Sequence, residues 1–352
     1  MRVPILDDLF VNILRFIVYL LDELLPSWAV NLLSMFIVAL ALVVFAIVAF
    51  IFIAWLERKV VARIQDRYGP NRAGRWGLVQ PIADAIKMFT KEDITPLTAD
   101  RWVHLLAPMV AIALSLLTFA VIPFGKGMIG ADLNVGIVYA MAILSVDSIA
   151  IFMAGWGSNN KYSLLAGMRA VAQMISYEIP MGLSIVVAVM LSRSLSTVSI
   201  VEAQGGWWGL RWFIFFFPIG PLAFLIYFIS GLAELNRVPF DILEAESEIV
   251  AGYHIEYSGM KFALMLMAEY INMFLVSAIG TTLFLGGWQG PILPPYVWFL
   301  AKTFALMLVM MWIRDTLPRL RIDQLMSLAW KFLVPLALLN IVLTGAGITL
   351  IQ

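Results

Sequence analysis

Between Glu234 and Glu256 the sequence reads ELNRVPFDILEAESEIVAGYHIE, setting Glu234, Asp241, Glu244, Glu246, Glu248 and Glu256 against one cation, Arg237. Carboxylates crowded in a medium of low dielectric cannot all ionise freely, so some of them exchange protons near neutral pH. Glu244 and Glu248 are four residues apart and share a face if this part is helical, with Glu246 on another. A solvated acidic loop is the other reading of such a charge run. The interleaved Phe240, Ile242, Leu243, Ile249, Val250 and Tyr253 favour a carboxylate-lined cavity. Further ionisable residues, Asp147, Arg169, Glu178, Glu269 and Lys302, lie deep inside long apolar runs.

The elements that position these residues are membrane helices. The chain has 352 residues, 62% of them hydrophobic and 13% charged, with a mean hydropathy of +0.94, which excludes an ordinary soluble domain. Roughly 20 apolar residues cross a bilayer, and such runs occur at about Leu32 to Trp55, Leu105 to Phe124, Val135 to Trp156, Leu164 to Leu191, Trp212 to Ala233, Phe262 to Leu285, Tyr296 to Ile313 and Leu325 to Ile351. The fold class is therefore all-α, a polytopic membrane helix bundle with about eight transmembrane helices. Val3 to Leu25 has charges among its apolar residues and predicts an amphipathic or half-inserted helix rather than a signal peptide. The predicted organisation is an N-terminal amphipathic helix over residues 1–31 and one membrane domain over 32–352, with cytoplasmic loops 57–101 and 234–261.

Orientation follows from the cations, which short loops retain on the cytoplasmic side. Alternate loops carry Arg58, Lys59, Arg63, Arg67, Arg72, Arg75, Lys87, Lys91 and Arg101, then Lys161, then Arg237 and Lys261, then Arg314, Arg319 and Arg321. The opposite loops hold only Lys126, Arg193 and Arg211. The acidic stretch thus shares the cytoplasmic side with the basic loop. In that loop Leu78, Ile82, Ile86 and Phe89 fall on one face of WGLVQPIADAIKMFT and describe a helix lying flat at the interface, beneath which an apolar molecule could pass. The dense arginines nearby fit lipid headgroups and a docking face for a soluble partner.

Each ionisable residue at a membrane helix centre costs about 2.5–3.5 kcal/mol, which makes it a functional candidate. Arg169, Gln173 and Tyr177 recur every four residues with Glu178 beside them, and Glu269 and Asn272 are three apart, so two helices carry polar faces. Such faces serve a proton path, or ion pairs of Arg169 with Glu178 and Lys302 with Glu269 that fasten helices, and the two roles can coexist. The chain has no cysteine and only two histidines, His104 and His254, so no metal site or redox centre is expected on it. Zero net charge gives no sign of nucleic acid. Gly125 to Gly130 satisfies G-x-G-x-x-G but sits in a short loop between two spans, where a turn is expected.

Four runs, ERKVVARIQDRYGPNRAGRWGLVQPIADAIKMFTKE from Glu57, MRAVAQMISYEIP from Met168, AELNRVPFDILEAESEIVAGYHIEYSG from Ala233 and PRLRIDQLMSLAWKFLVP from Pro318, together resemble the H subunits of proton-translocating NADH:quinone oxidoreductase, respiratory complex I. Their mitochondrial counterpart is NADH dehydrogenase subunit 1. The resemblance implies a multi-pass subunit of the bacterial inner membrane that closes the membrane end of a quinone chamber and couples quinone reduction to proton translocation. Quinone would be a substrate, nothing would be bound covalently, and iron–sulfur clusters and flavin would sit on partner subunits. The implied partners are the peripheral-arm subunits, antiporter-like membrane subunits and lipid.

Carried residue by residue, the resemblance implies that Arg58, Arg67, Asp84 and Arg237 flank the quinone passage. Asp241, Glu244, Glu246, Glu248 and Glu256 would form a proton-coupling funnel, continued by Glu234, Glu178, Glu269 and Asp147. The same type of chain in a membrane-bound hydrogenase or a deazaflavin-dependent dehydrogenase is the nearest alternative. A stand-alone ion-coupled transporter would show repeats with broken helices, which this sequence lacks.

Overall fold

In hydrocarbon every backbone polar group must be satisfied within its own segment, so long apolar runs fold as helices. A computed structural model of the chain describes residues 9–23, 25–206, 211–243 and 249–351 and is helical throughout its long elements. Among the described residues the elements are α1 Leu9–Asp22, α2 Ser27–Ile64, α3 Gln80–Thr90, α4 Arg101–Thr118, α5 Gly136–Gly157, α6 Lys161–Ser192, α7 Thr197–Ala203, α8 Ile219–Glu234, α9 Gly259–Phe284, α10 Pro295–Thr316, α11 Ile322–Ser327 and α12 Val334–Ile351. A π turn, Leu328–Leu333, joins α11 to α12. Seven helical segments are long and apolar enough to cross a membrane, and α8 is a shorter eighth.

Local chemistry fixes where several helices begin. Asp100 caps α4 by accepting from the Trp102 N–H, and Asn160 caps α6 by accepting from that of Tyr162. α2 starts before the expected Leu32 and runs through Glu57, Arg58 and Lys59, which therefore belong to a helix and not to a loop. The flat helix α3 starts at Gln80, because Gly77 (φ +76) turns the chain tightly against Pro70: a Cβ there would lie 2.1 Å from the Pro70 carbonyl oxygen. Gly125 to Gly130 is a turn, closed by the Met128 N–H donating to the Gly125 carbonyl.

α9 is apolar on nearly every side and buried from Ile271 to Phe284, packed by α2, α4, α8 and α10. An all-round apolar helix belongs at the centre of a bundle. α4, α5, α6 and α8 pack in succession around it. Gly155 of α5 meets Gly167 of α6 where a Cβ at Gly155 would lie 2.8 Å from the Ser163 carbonyl, so these backbones approach closely.

α8 departs from the expected span from Trp212 to Ala233. It has 16 residues, about 24 Å, against a hydrocarbon core of about 30 Å. The 3-10 turn Phe213–Phe215 takes up its expected first turn. Because α8 is short, the chain that follows it stays inside the protein: Leu235, Arg237, Phe240, Asp241, Ile242 and Leu243 are all buried. The acidic stretch is folded inward over 234–243, as its apolar residues there predict, and Val250 is exposed.

Candidate functional site

Two cavities contain half of the candidates that lie among the described residues. The first opens at the basic end, has a volume of about 590 Å³ and is lined by Glu57, Arg58, Arg67, Tyr68, Tyr270, Arg314 and Asp315 among others. The second is enclosed, about 60 Å³, between α4, α5, α8 and α9, with Asp147, Glu234, Asn236, Glu269 and Asn272 in its wall. A water needs at least about 10–15 Å³ of such space, so a short chain of waters fits.

Between the two cavities lies a charge cluster. Arg237, buried beyond the end of α8, donates through a terminal nitrogen to Glu57 Oε1 at 2.7 Å, and its Nε lies 2.9 Å from Glu269 Oε1. Its guanidinium also stands 4.9 Å from the centroid of the Tyr270 ring. Glu57 is shared with Arg314 of α10. Glu57 lines the open cavity and Glu269 the enclosed one, so Glu57, Arg237 and Glu269 form a continuous ionic link from one to the other.

In the enclosed cavity the acids have amide and hydroxyl partners. Asn272 Nδ2 donates to Asp147 Oδ2 at 2.8 Å and its Oδ1 accepts from the Ser115 hydroxyl at 2.7 Å, tying α9 to α5 and α4. Asp147 Oδ1 and Glu234 Oε2 are buried without a protein hydrogen bond among the described residues, and both residues line the cavity. Oxygens so placed can hold water and pass protons along it.

The remaining candidates are dispersed. Asp241 accepts from Arg319 at 2.9 Å, Glu256 accepts from Asn160 Nδ2 at 2.7 Å, and Glu178 accepts from the Ser145 hydroxyl. Glu244, Glu246 and Glu248 lie outside the described residues. Gln173 and Tyr177, read as part of a polar face, act as clamps: Gln173 Nε2 donates to the Ala233 and Phe240 carbonyls, and the Tyr177 hydroxyl to that of Leu325. The pairing of Lys302 with Glu269 does not form. Glu269 faces Arg237, and Lys302 donates to loop carbonyls at the far end.

On α3, Asp84 accepts from Arg58 at 2.5 Å and from Gln80 at 3.2 Å, with Lys87 at 3.9 Å. Partial burial pushes its carboxyl up, but these hydrogen bonds and charges outweigh it and hold the pKa below the ordinary carboxylate value. Leu78, Ile82, Ile86 and Phe89 are exposed, the apolar face expected of a helix lying flat on a bilayer. Arg63, Arg67, Arg72 and Arg75 line the same end of the molecule, Arg63, Arg67 and Arg75 exposed and Arg72 beside them in the turn that leads to α3. His254 lies within the acidic stretch, where burial lowers its pKa against the pull of Asp241.

Sequence reasoning did not single out Glu57, Tyr270 or Arg314 for the site. Glu57 has the form of an interfacial charge ending a span, and its partner Arg237 is 180 residues away, so no local pattern marks it. Asn272 carried a signal, its i, i+3 spacing from Glu269.

A family model described as NADH dehydrogenase matches residues 37–345. The chain is 54% identical over 316 residues to the H subunit of the NADH-quinone oxidoreductase of Dehalococcoides mccartyi, covering 90% of this chain and 86% of that protein. It is 52% identical over 306 residues to an H subunit from Syntrophobacter fumaroxidans, covering 84% and 90%. With the H subunit from Chlorobaculum tepidum it shares 49% identity over 327 residues, covering 88% and 90%. An all-helical, multi-pass membrane chain with an ionic link between two cavities, it belongs to the NADH dehydrogenase family.

Proposed function

We propose that this chain is the H-type membrane subunit of a proton-pumping NADH:quinone oxidoreductase in the bacterial inner membrane, closing a quinone chamber and coupling its chemistry to proton translocation. The reading is supported by the H-type relatives, which match across most of the chain. The observation that carries the coupling part is the position of Glu269, in the ion pair with Arg237 and in the wall of the enclosed cavity at once.

Reducing a quinone to a quinol takes up two electrons and two protons. The electrons come from an iron–sulfur cluster on a peripheral-arm partner, with flavin further upstream, and antiporter-like membrane subunits complete the pumping. The quinone head lies in the open cavity near Arg58, Arg67 and Arg237, with Asp84 holding Arg58 in place. Proton uptake there changes the charge balance at Glu57, and Arg237 then redistributes its attraction between Glu57 and Glu269. A weaker hold on Glu269 hands the change of charge to Glu234 and Asp147 through the enclosed cavity. Asp241, Glu244, Glu246, Glu248, Glu256 and Glu178 extend the acidic route around it. α1, Leu9–Asp22, is an interfacial helix, the membrane domain begins with α2 at Ser27, and the 57–101 and 234–261 segments lie on the cytoplasmic side.

Glu269→Gln tests the coupling, since the amide keeps the shape but carries neither charge nor exchangeable acid proton. Quinone reduction and proton uptake should fall together in membranes with normal complex content, while electron transfer to a soluble acceptor is retained. Normal quinone reduction and uptake would remove the role given to Glu269. For orientation, a cysteine replacing Arg72 should resist an impermeant thiol reagent applied from outside; labelling from that side reverses the topology.

A further inference from the structure

A buried lysine that the acid chemistry does not use closes the end of the bundle opposite the charge cluster. Lys302, two turns into α10 and 7% exposed, donates from Nζ to the carbonyls of Leu285 at 2.7 Å, Gly287 at 2.9 Å and Gln289 at 2.6 Å. These three bonds use all its donors. Its ammonium also lies 4.3 Å from the ring centroid of Trp212 and 5.7 Å from that of Trp298. The loop admits these indoles because it is built of glycine. A Cβ on Gly286 would lie 2.5 Å from the Trp212 ring, and one on Gly290 2.4 Å from that of Trp298. Gln204 holds the loop from beneath, accepting from the Gly286 N–H at 2.9 Å and donating to the Thr282 carbonyl at 3.0 Å. The result is a cage of carbonyl dipoles and ring faces, chemistry that favours a cation.

Lys302 differs from Arg237 in its company. Among the described residues no carboxylate lies within ion-pair distance of it, so its charge is solvated by dipoles and not cancelled. A string of buried hydroxyls lies between the enclosed cavity and Lys302, Ser277 donating to Met310 Sδ at 3.6 Å and Thr281 to the Ser277 carbonyl at 2.9 Å. Beyond Asn272 and Val276 in the cavity wall come Ser277 and Thr281 on α9, then Thr303, which is adjacent to Lys302 and 3.5 Å from the Thr281 hydroxyl. The surroundings are otherwise apolar, with Phe274, Phe284 and Phe299 fully buried.

We propose that Lys302 is an electrostatic plug: its ammonium, caged by three loop carbonyls and the Trp212 ring, closes the outer end of the hydroxyl string to protons, so that protons exchanged among the interior carboxylates do not leak across the subunit. A cationic barrier in a narrow polar path excludes protons by repulsion. This proposal rests on the reading that the interior carboxylates exchange protons. Its test reads passive proton flux in the absence of turnover, with quinone reduction only as a check of assembly, so the two can fail separately.

The purified complex is reconstituted into vesicles, a potassium diffusion potential is imposed without NADH or quinone, and proton flux is followed with a pH-sensitive dye. Lys302→Gln keeps donors for the loop carbonyls and loses the charge; its flux should rise about tenfold, equivalent to removing about 1.4 kcal/mol of barrier. Lys302→Arg should stay as tight as wild type. Adding Asp147→Asn to Lys302→Gln should bring the flux back down, which separates a path through the interior acids from a general leak. Uncoupled quinone reduction should be unchanged in Lys302→Gln, showing an assembled complex. A tight Lys302→Gln vesicle, or equal leaks from the Gln and Arg variants, overturns the plug. If the Gln variant does not assemble, the potential is applied to Lys302→Met instead, with the same two outcomes.

Discussion

The charge cluster at the basic end and the enclosed cavity both bury carboxylates, but they hold them differently. Glu57 and Glu269 face guanidinium groups. Asp147 has an amide for a partner, and Glu234 has one oxygen free of protein hydrogen bonds among the described residues. A carboxylate beside a cation is favoured in its charged form, whereas one buried among neutral groups is favoured in its protonated form. The difference lies in the company each acid keeps, and on the proposed function the first are charged fixtures and the second exchange protons: cations stand beside the first and an amide beside Asp147. Glu269 stands on the border and belongs to both.

Removing the cation should have the largest effect. Arg237→Ala leaves Glu57 and Glu269 short of a shared partner in a buried site, a loss of about 3–5 kcal/mol for a broken buried pair. The expected outcome is a low content of assembled complex and, in what remains, a larger loss of quinone reduction than of transfer to a soluble acceptor. Wild-type content and turnover would show that the cluster is not held by Arg237.

A smaller and more selective effect is expected in the enclosed cavity. Glu234→Gln substitutes an isosteric neutral side chain in the wall of the cavity, so assembly should be untouched. Proton translocation should fall at least about tenfold, in line with the loss of a proton-transferring group. Paired measurements of assembly and pumping decide it: a variant that pumps normally would make Glu234 structural, and one that fails to assemble would place it with the charged fixtures.

The smallest effect belongs to Asp84. Its partner Arg58 is half-exposed, and surface pairs are worth about 0.2–1 kcal/mol, so Asp84→Asn should loosen α3 only slightly. Because the folded pKa is depressed, the Asp84 contribution is complete above the ordinary carboxylate range and is lost as pH falls through the folded value. Hydrogen exchange of the α3 amides should therefore show no difference between wild type and Asp84→Asn below that value, and a modest extra protection of wild type at neutral pH. Equal protection at neutral pH would leave Arg58 with no positioning partner here.

The fold is largely legible in the sequence because hydrocarbon leaves so few options: long apolar runs become helices, and the inward fold of 234–243 can be read from Phe240, Ile242 and Leu243. Helix ends are less legible. Polar residues such as Glu57 and Arg58 continue α2 beyond its apolar run, and aromatic residues such as Trp212 and Phe213 lie in the run without joining α8. In the site, Asp147, Glu234 and Glu269 are marked by charge in apolar surroundings, a property of the residue itself. Their partners are not. Glu57 and Arg314 become part of the site only when α2 and α10 meet Arg237, Gln173 becomes a clamp only when α6 meets the end of α8, and Tyr177 only when α6 meets α11, relations that no periodicity in one segment contains.

The length of α2 sets a height. Its 38 residues measure about 57 Å against a hydrocarbon core of about 30 Å, so even at a tilt of about 40° more than 10 Å of it stands clear of the acyl chains. Its last two turns, Glu57 to Ile64, end on that projecting part and carry one wall of the open cavity with them. A ligand arriving from the bilayer must therefore climb out of it to bring its head beside Arg58. A long apolar tail then works as a tether that stays rooted in the membrane while the head is raised, and the distance to be climbed is built into a single helix.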